Sequence, residues 1–113
     1  MGIVEDFNRY RSKMNEKILA SESLIIKRIF NLDTNAYVDG KLSLKTKELI
    51  GLTCSLVLRC DDCVKYHLGK WKEIGLTTSE LNESLGIATL VGGTIVIPHL
   101  RMAFEYWEEL QHV

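Results

Sequence analysis

Residues 44–71 read LKTKELIGLTCSLVLRCDDCVKYHLGKW, and the fold turns on them. The first half places Leu44, Leu49, Ile50, Leu52, Leu56, Val57 and Leu58 around most of a helical circumference, so nearly every face of that helix needs protein against it. Ser43 is its expected N-cap, and the helix is expected to run to about Leu58. The second half, from about Asp61 to Ile74, gathers Cys60, Cys63, Val64, His67, Leu68, Trp71 and Ile74 on the side expected to face the core. Asp62, Lys65, Lys70, Lys72 and Glu73 fall on the others. If the chain reverses near Arg59, Glu48 lies about ten residues before the turn and His67 about seven after it. At about 1.5 Å per residue the two then stand at comparable heights in an antiparallel pair. Glu48 shares its face with Gly51 and Ser55, whose small side chains let a neighbouring helix approach the carboxylate, so Glu48 is placed to hold His67.

The chemistry of this stretch lies in Cys60-Asp61-Asp62-Cys63-Val64-Lys65-Tyr66-His67. On a helix, thiols three residues apart have Cα atoms roughly 5–6 Å from each other, within the reach of a disulfide. His67 follows Cys63 by four residues, one turn along the same face, where an imidazole can take the thiol proton. Cys60 falls at the helix start, and the unpaired N–H groups there favour a thiolate. Asp61 and Asp62 oppose a second negative charge beside them, so a moderately activated thiol is expected.

Working outward, residues 3–19 repeat Ile3, Phe7, Tyr10, Met14 and Ile18 at helical spacing with charges on the other faces. A second helix is expected from about Ser23 to Tyr37 and Val38, ended by Asp39-Gly40. After the dithiol helix, Gly75 is a stop and Thr77 or Thr78 a cap. Leu81, Leu85, Ile87, Ala88, Leu90 and Val91 are expected to build a fifth helix with Gly92-Gly93 in its middle, where another backbone packs closely. Pro98 opens a last helix reaching about Leu110. The class is all-α: one domain over residues 1–113, a bundle of about six helices with 30–110 as its core and 1–29 as an N-terminal helical extension.

Composition sets the outer bounds. The 113 residues carry 14 basic and 15 acidic side chains, a net charge of -1 with no block of either sign, so nucleic acid is not an expected partner. The uncharged run from Ser84 to Leu100 is broken by glycines and Pro98 and falls short of the roughly 20 apolar residues of a membrane span. It reads as a buried helix and its exit. The mixed charge of Met1 to Lys17 does not resemble a secretory leader, and a cytoplasmic location is expected. Three cysteines are too few and too odd for a secreted disulfide scaffold, and CxxC in a reducing compartment reads as redox chemistry or metal binding. Cys54 and Trp71 are read as core residues, and His99 and His112 as incidental.

Glu48, then Cys60, Cys63 and His67, flanked by Lys47-Glu48-Leu49 before and Glu80, Gly86, Ala88 and Gly92-Gly93 after, resemble the carboxymuconolactone decarboxylase family. Within it they resemble the alkylhydroperoxidase D-like (AhpD-like) branch, over about residues 30–110. The resemblance implies an all-α bundle assembled as a homotrimer or homohexamer. It also implies that Glu48, Cys60, Cys63 and His67 form a proton relay feeding a redox-active dithiol that reduces peroxides. The partners implied are a peroxide or disulfide substrate and an external dithiol donor, with no cofactor. The chain departs from the best-studied members at Asp62, where they carry a second histidine. Two other readings stay open. Cys60, Cys63 and His67 could be metal ligands with Glu48 or water as a fourth, although structural zinc sites usually draw ligand pairs from two elements. The chain could also be a non-redox lyase like the family's namesake, or an oligomeric scaffold that keeps the fold, and a dithiol argues against both.

Overall fold

The computed structural model describes residues 2–113, Met1 lying outside them, and it is built from six α-helices and one short 3-10 turn, with no strand among the described residues. The helices are α1 (Ile3–Leu19), α2 (Leu24–Ala36), α3 (Leu44–Val57), α4 (Asp61–Glu73), α5 (Thr78–Gly92) and α6 (Ile97–Leu110), with the 3-10 turn at Thr94–Val96 before α6. Each start has its own chemistry. Ser23, Ser43 and Thr77 accept from the third residue of their helices, and Glu80 reaches back to the Thr77 N–H to complete a capping box. Gly2 has no side chain to cap α1. The carboxylate of Glu109, near the end of α6, does it instead, accepting from Ile3 N–H at 3.3 Å and Val4 N–H at 2.8 Å. That bond fastens α1 to the far end of the chain and sets a negative charge at the positive end of its dipole.

The centre of the molecule is the α3–α4 hairpin, with α5 against α3 and α6 across α4. Its turn is tight, and Arg59 takes a left-handed conformation there (φ 60°). Leu52 and Leu56 from α3, Val64, Leu68 and Trp71 from α4, Leu81 and Leu85 from α5 and Tyr106 from α6 are almost wholly excluded from water. Removing the side chain of a leucine at such a position typically costs about 2–5 kcal/mol, because the cavity left behind closes only partly. Trp71 is a core residue, as expected, and its ring N–H donates to the Thr77 carbonyl at 3.2 Å. Trp107 donates to the Thr78 hydroxyl at 3.0 Å, so both indoles fasten the start of α5.

Several expectations are corrected. α2 stops at Ala36, and Tyr37 leaves the helix as its C-cap because Lys47 donates to the Ala36 carbonyl at 2.8 Å and holds the helix end there. Gly92-Gly93 is the end of α5 and not its middle: Gly93 sits at φ 85°, a conformation that a side chain would strain. What presses on Gly92 is a side chain and not another backbone: a Cβ there would collide with Val96 Cγ2, whereas the nearest backbone atom, the Val57 Cα of α3, would lie at an ordinary contact distance of 3.7 Å. The stretch from Ser84 is not a buried helix throughout. Leu81, Leu85 and Ala88 are buried, whereas Ile87, Leu90 and Val91 face outward. Tyr10 is exposed as well, and so are Leu49 and Ile50 of α3 and Leu58, its C-cap. α2 contributes no buried residue and presents Leu24, Ile25, Ile29 and Leu32 to solvent. No helix of the described chain is long and apolar enough to cross a membrane.

Candidate active site

α4 begins at the dithiol. Cys60 is its N-cap, and the Cys60 sulfur accepts from the Cys63 N–H at 3.3 Å, the role a serine oxygen has at the other caps. A sulfur in that position lies at the positive end of the helix, where negative charge is favoured. Cys60 and Cys63 are joined as a disulfide with Cα atoms 5.3 Å apart, the separation expected for this spacing on a helix. Cys60 is half-buried and Cys63 exposed. The helix therefore does not turn all of its chemistry inward: Val64, Leu68 and Trp71 hold the core, and Cys63 looks out.

One turn after Cys63, His67 is buried, and its Nδ1 lies 2.8 Å from Oε1 of Glu48, itself only 2% exposed. The equal-height argument for the α3–α4 pair is realised in this contact. A carboxylate taken this far from water is costly unless paired, and His67 is its partner. Because Nδ1 is committed to Glu48, the other ring nitrogen remains to exchange protons. Gly51 makes the contact possible: a Cβ there would lie 2.7 Å from His67 Cε1 and 2.7 Å from the Tyr37 hydroxyl, closer than such atoms approach. The expected direct partnership of His67 with Cys63 takes a looser form. No hydrogen bond joins the imidazole to either sulfur in this disulfide form, and the two residues instead line one groove.

That groove, of about 330 Å³, is where residues outside the motif enter. Phe7, Tyr10, Arg11 and Met14 of α1 form one wall, and Asp33 of α2 and Tyr66 of α4 contribute to the others. The Arg11 guanidinium sits 4.2 Å above the Tyr66 ring, and Tyr66 meets the His67 ring edge-on at 5.4 Å between centroids. Tyr37, half-buried just past the end of α2, also lies 5.4 Å from the same imidazole. Burial pushes the Tyr37 phenol above its ordinary value of 10.0, and the charges of Glu48 and Asp33 add in the same direction. It is a neutral hydrogen-bond donor at physiological pH. The motif does not name these residues, although Phe7, Tyr10 and Met14 belong to the apolar stripe that the spacing of residues 3–19 predicts.

Two dismissed residues change status. His99, at the start of α6, pairs with Asp61 at 2.6 Å and so ties the first turn of the dithiol helix to α6. Cys54 is not in the core but exposed, beside a second groove between α3 and α5. That groove is larger, about 710 Å³, and is walled by Leu49, Val57, Leu58, Ile87 and Val91. Its acidic members include Glu80, whose carboxyl is held down to about 2 by its hydrogen bond from Lys45 and by the bonds from Thr77 that complete the cap. That is a structural use of the charge. Among the described residues, no group of three or more His, Cys, Asp or Glu converges as a metal site.

The model of the Carboxymuconolactone decarboxylase family matches residues 25–106 of this chain. The chain belongs to this family. Among solved structures, a family protein of Thermotoga maritima, for which a part in the antioxidative response has been suggested, is 50% identical with a TM-score of 0.90. That likeness covers 95% of this chain and 91% of the other. The apo form of a family protein of Legionella pneumophila is 28% identical with a TM-score of 0.76, over 95% and 92% of the two chains. An uncharacterised protein of Cupriavidus necator is 32% identical over 72 residues, 64% of each chain, so this family member spans somewhat under two thirds of the length of that curated relative. The carboxymuconolactone decarboxylase fold expected from the motif is thus the fold observed. The family model's match begins after α1, whereas the likenesses to the solved structures, which cover 95% of this chain, take in most of that helix as well.

Proposed function

We propose that this family member is a thiol-dependent oxidoreductase that reduces peroxides with Cys60 and Cys63, using Glu48 and His67 as its proton relay. The observation that carries the reading is a closed CxxC pair at a helix start, opening on a groove that also exposes an imidazole anchored by a buried carboxylate. The antioxidative role suggested for the Thermotoga maritima relative points in the same direction.

Cys63 is the proposed attacking sulfur, because it is the exposed one and it lines the groove with His67. In the reduced protein its thiol gives up a proton to the free nitrogen of His67 across the groove, while Glu48 holds the ring and offsets the imidazolium charge. The thiolate attacks the terminal oxygen of a hydroperoxide. An S–O bond forms, the O–O bond breaks, and the leaving alkoxide takes the proton back from His67 to depart as the alcohol. Cys60 then attacks the sulfenic acid at Cys63; the disulfide forms and water leaves. Two thiol exchanges with an external dithiol restore both thiols and oxidise the donor. The assembly proposed for this activity is a homotrimer or homohexamer, because Leu49, Leu58, Ile87 and Val91 leave an apolar groove on a single chain.

The test is a thiol count by alkylation and peptide mapping of the reduced protein before and after one equivalent of peroxide. Cys60 and Cys63 should be lost together as one disulfide and Cys54 should remain alkylatable. A major disulfide that includes Cys54, or a pair untouched by peroxide, rejects the reading.

A further inference from the structure

The dithiol groove has one wall that the relay does not explain. Phe7, Tyr10, Arg11 and Met14 recur at steps of three, one and three, so they stand in a single stripe along α1. α1 is held so that this stripe cannot drift: Glu109 caps its first turn, Val4 is buried in the core, and the Phe7 ring packs edge-on against the buried Tyr106 at 6.0 Å. Beyond that anchorage the stripe stays open. Tyr10 is 66% exposed although it is aromatic and lies beside a reactive sulfur. Arg11, the one cation among the described residues that line the groove, is laid over Tyr66, Asp33 and Asp62 share the lining, and Lys65 and Lys70 stand over the Phe7 and Tyr66 rings, so charges of both signs border an apolar stripe. Its volume of about 330 Å³ is far more than hydrogen peroxide needs. It falls at the lower end of the about 300–1,000 Å³ usual for small-molecule sites, which are mostly apolar with a few polar groups.

We infer that α1 is the substrate-selecting wall of this site: the stripe of Phe7, Tyr10 and Met14 receives the apolar body of an organic hydroperoxide and so brings its O–O bond to Cys63. The inference rests on the peroxide-reducing reading and deepens it. Aromatic rings and a thioether suit this task because they bury apolar area with few rotamers or adapt to irregular shapes.

The experiment measures second-order rate constants for oxidation of the reduced full-length protein by cumene hydroperoxide and by hydrogen peroxide, each divided by the constant for the same oxidant with a free small-molecule thiol. Wild type should favour the organic oxidant on this scale. Tyr10→Ala combined with Met14→Ala should lower its constant roughly five- to tenfold more than that of hydrogen peroxide, a loss in the lower part of what an apolar pocket contact discriminates. Lys13→Ala, on the outer face of α1, should leave both constants at their wild-type values. Circular dichroism checks that the double variant keeps its helices, and Met14→Ala alone replaces it if it does not. Equal losses for the two oxidants would overturn the selecting role while leaving the peroxidase reading intact. A wild-type dithiol that neither oxidant touches would overturn both.

Discussion

Two grooves, each bordered by a cysteine, lie on different sides of α3 and α4, and they differ in what stands behind the sulfur. The larger, between α3 and α5, holds Cys54 among aliphatic side chains, with Glu80 spent on a helix cap. The smaller holds Cys63, and behind it stand His67 and the buried Glu48 at 2.8 Å, with Tyr37 and Tyr66 against the imidazole. Volume alone would choose the larger, whereas the proposed chemistry lies in the smaller. A sulfur becomes a reagent through connected polar groups that can move a proton, and the larger recess, although Glu80 and Glu83 line it, holds no imidazole paired with a carboxylate. The larger groove suits association between chains, which apolar area does drive.

The sharpest way to break the contrast is to exchange serine for each cysteine in turn. Cys63→Ser should abolish peroxide-driven disulfide formation, leaving only the slow reaction expected of an ordinary thiol. Cys54→Ser should keep the rate within about twofold of wild type, since no imidazole–carboxylate pair lines its groove. A large loss in the Cys54 variant would mean that the two grooves are not chemically distinct.

Smaller losses are expected within the relay. Glu48→Gln and His67→Ala should each slow peroxide turnover roughly 10²-fold, the lower end of what positioned acid–base groups contribute. The double variant should lose little more than either single one, because residues acting as one unit are not additive. Stopped-flow oxidation of the reduced protein gives the rates. Multiplying losses would separate Glu48 from His67 and undo the relay.

On the apolar side, Ile87→Glu sets a carboxylate into the larger groove and should dissociate the proposed assembly. Light scattering should give at least three chains of 12.9 kDa for the wild type and a single chain for the variant. A wild-type monomer with full activity would deprive that groove of its proposed use.

The least effect is expected where the larger groove's charge is already committed. Thr77→Ala should lower stability by about 1 kcal/mol through loss of the α5 cap, measured by urea unfolding. The Glu80 carboxyl is held below its ordinary 4.5, at about 2, first by Lys45 and then by Thr77. Its contribution is therefore complete above about pH 4.5 and is lost as pH falls toward 2. Thermal unfolding of wild type and Glu80→Gln should converge over that range and stay apart above it.

Much of this was legible in the chain. Helical spacing, the Ser43 and Thr77 caps, the glycine at 75 and the proline at 98 are local signals, and each acts within a few residues of itself. The Glu48–His67 contact was legible for a related reason, since two helices joined by a short turn leave few registers and Gly51 marks where they come close. Cys54 was misplaced because an apolar stretch reads the same whether a given side chain faces the core or the outside. Gly92-Gly93 was misplaced because two glycines look alike inside a helix and at its end, and only the backbone angle of Gly93 tells them apart.

The sequence by itself determined the helices, the closing dithiol and the carboxylate–imidazole pair, because their causes are short-range. Only the tertiary structure decided what surrounds them. Glu109 holds α1 across 105 residues to Val4, Lys47 stops α2 just before Tyr37, and His99 reaches Asp61 from 38 residues away. No spacing rule spans such distances. The partners are chosen by how whole helices pack, and that packing is settled by the burial of Leu52, Trp71, Tyr106 and their neighbours together.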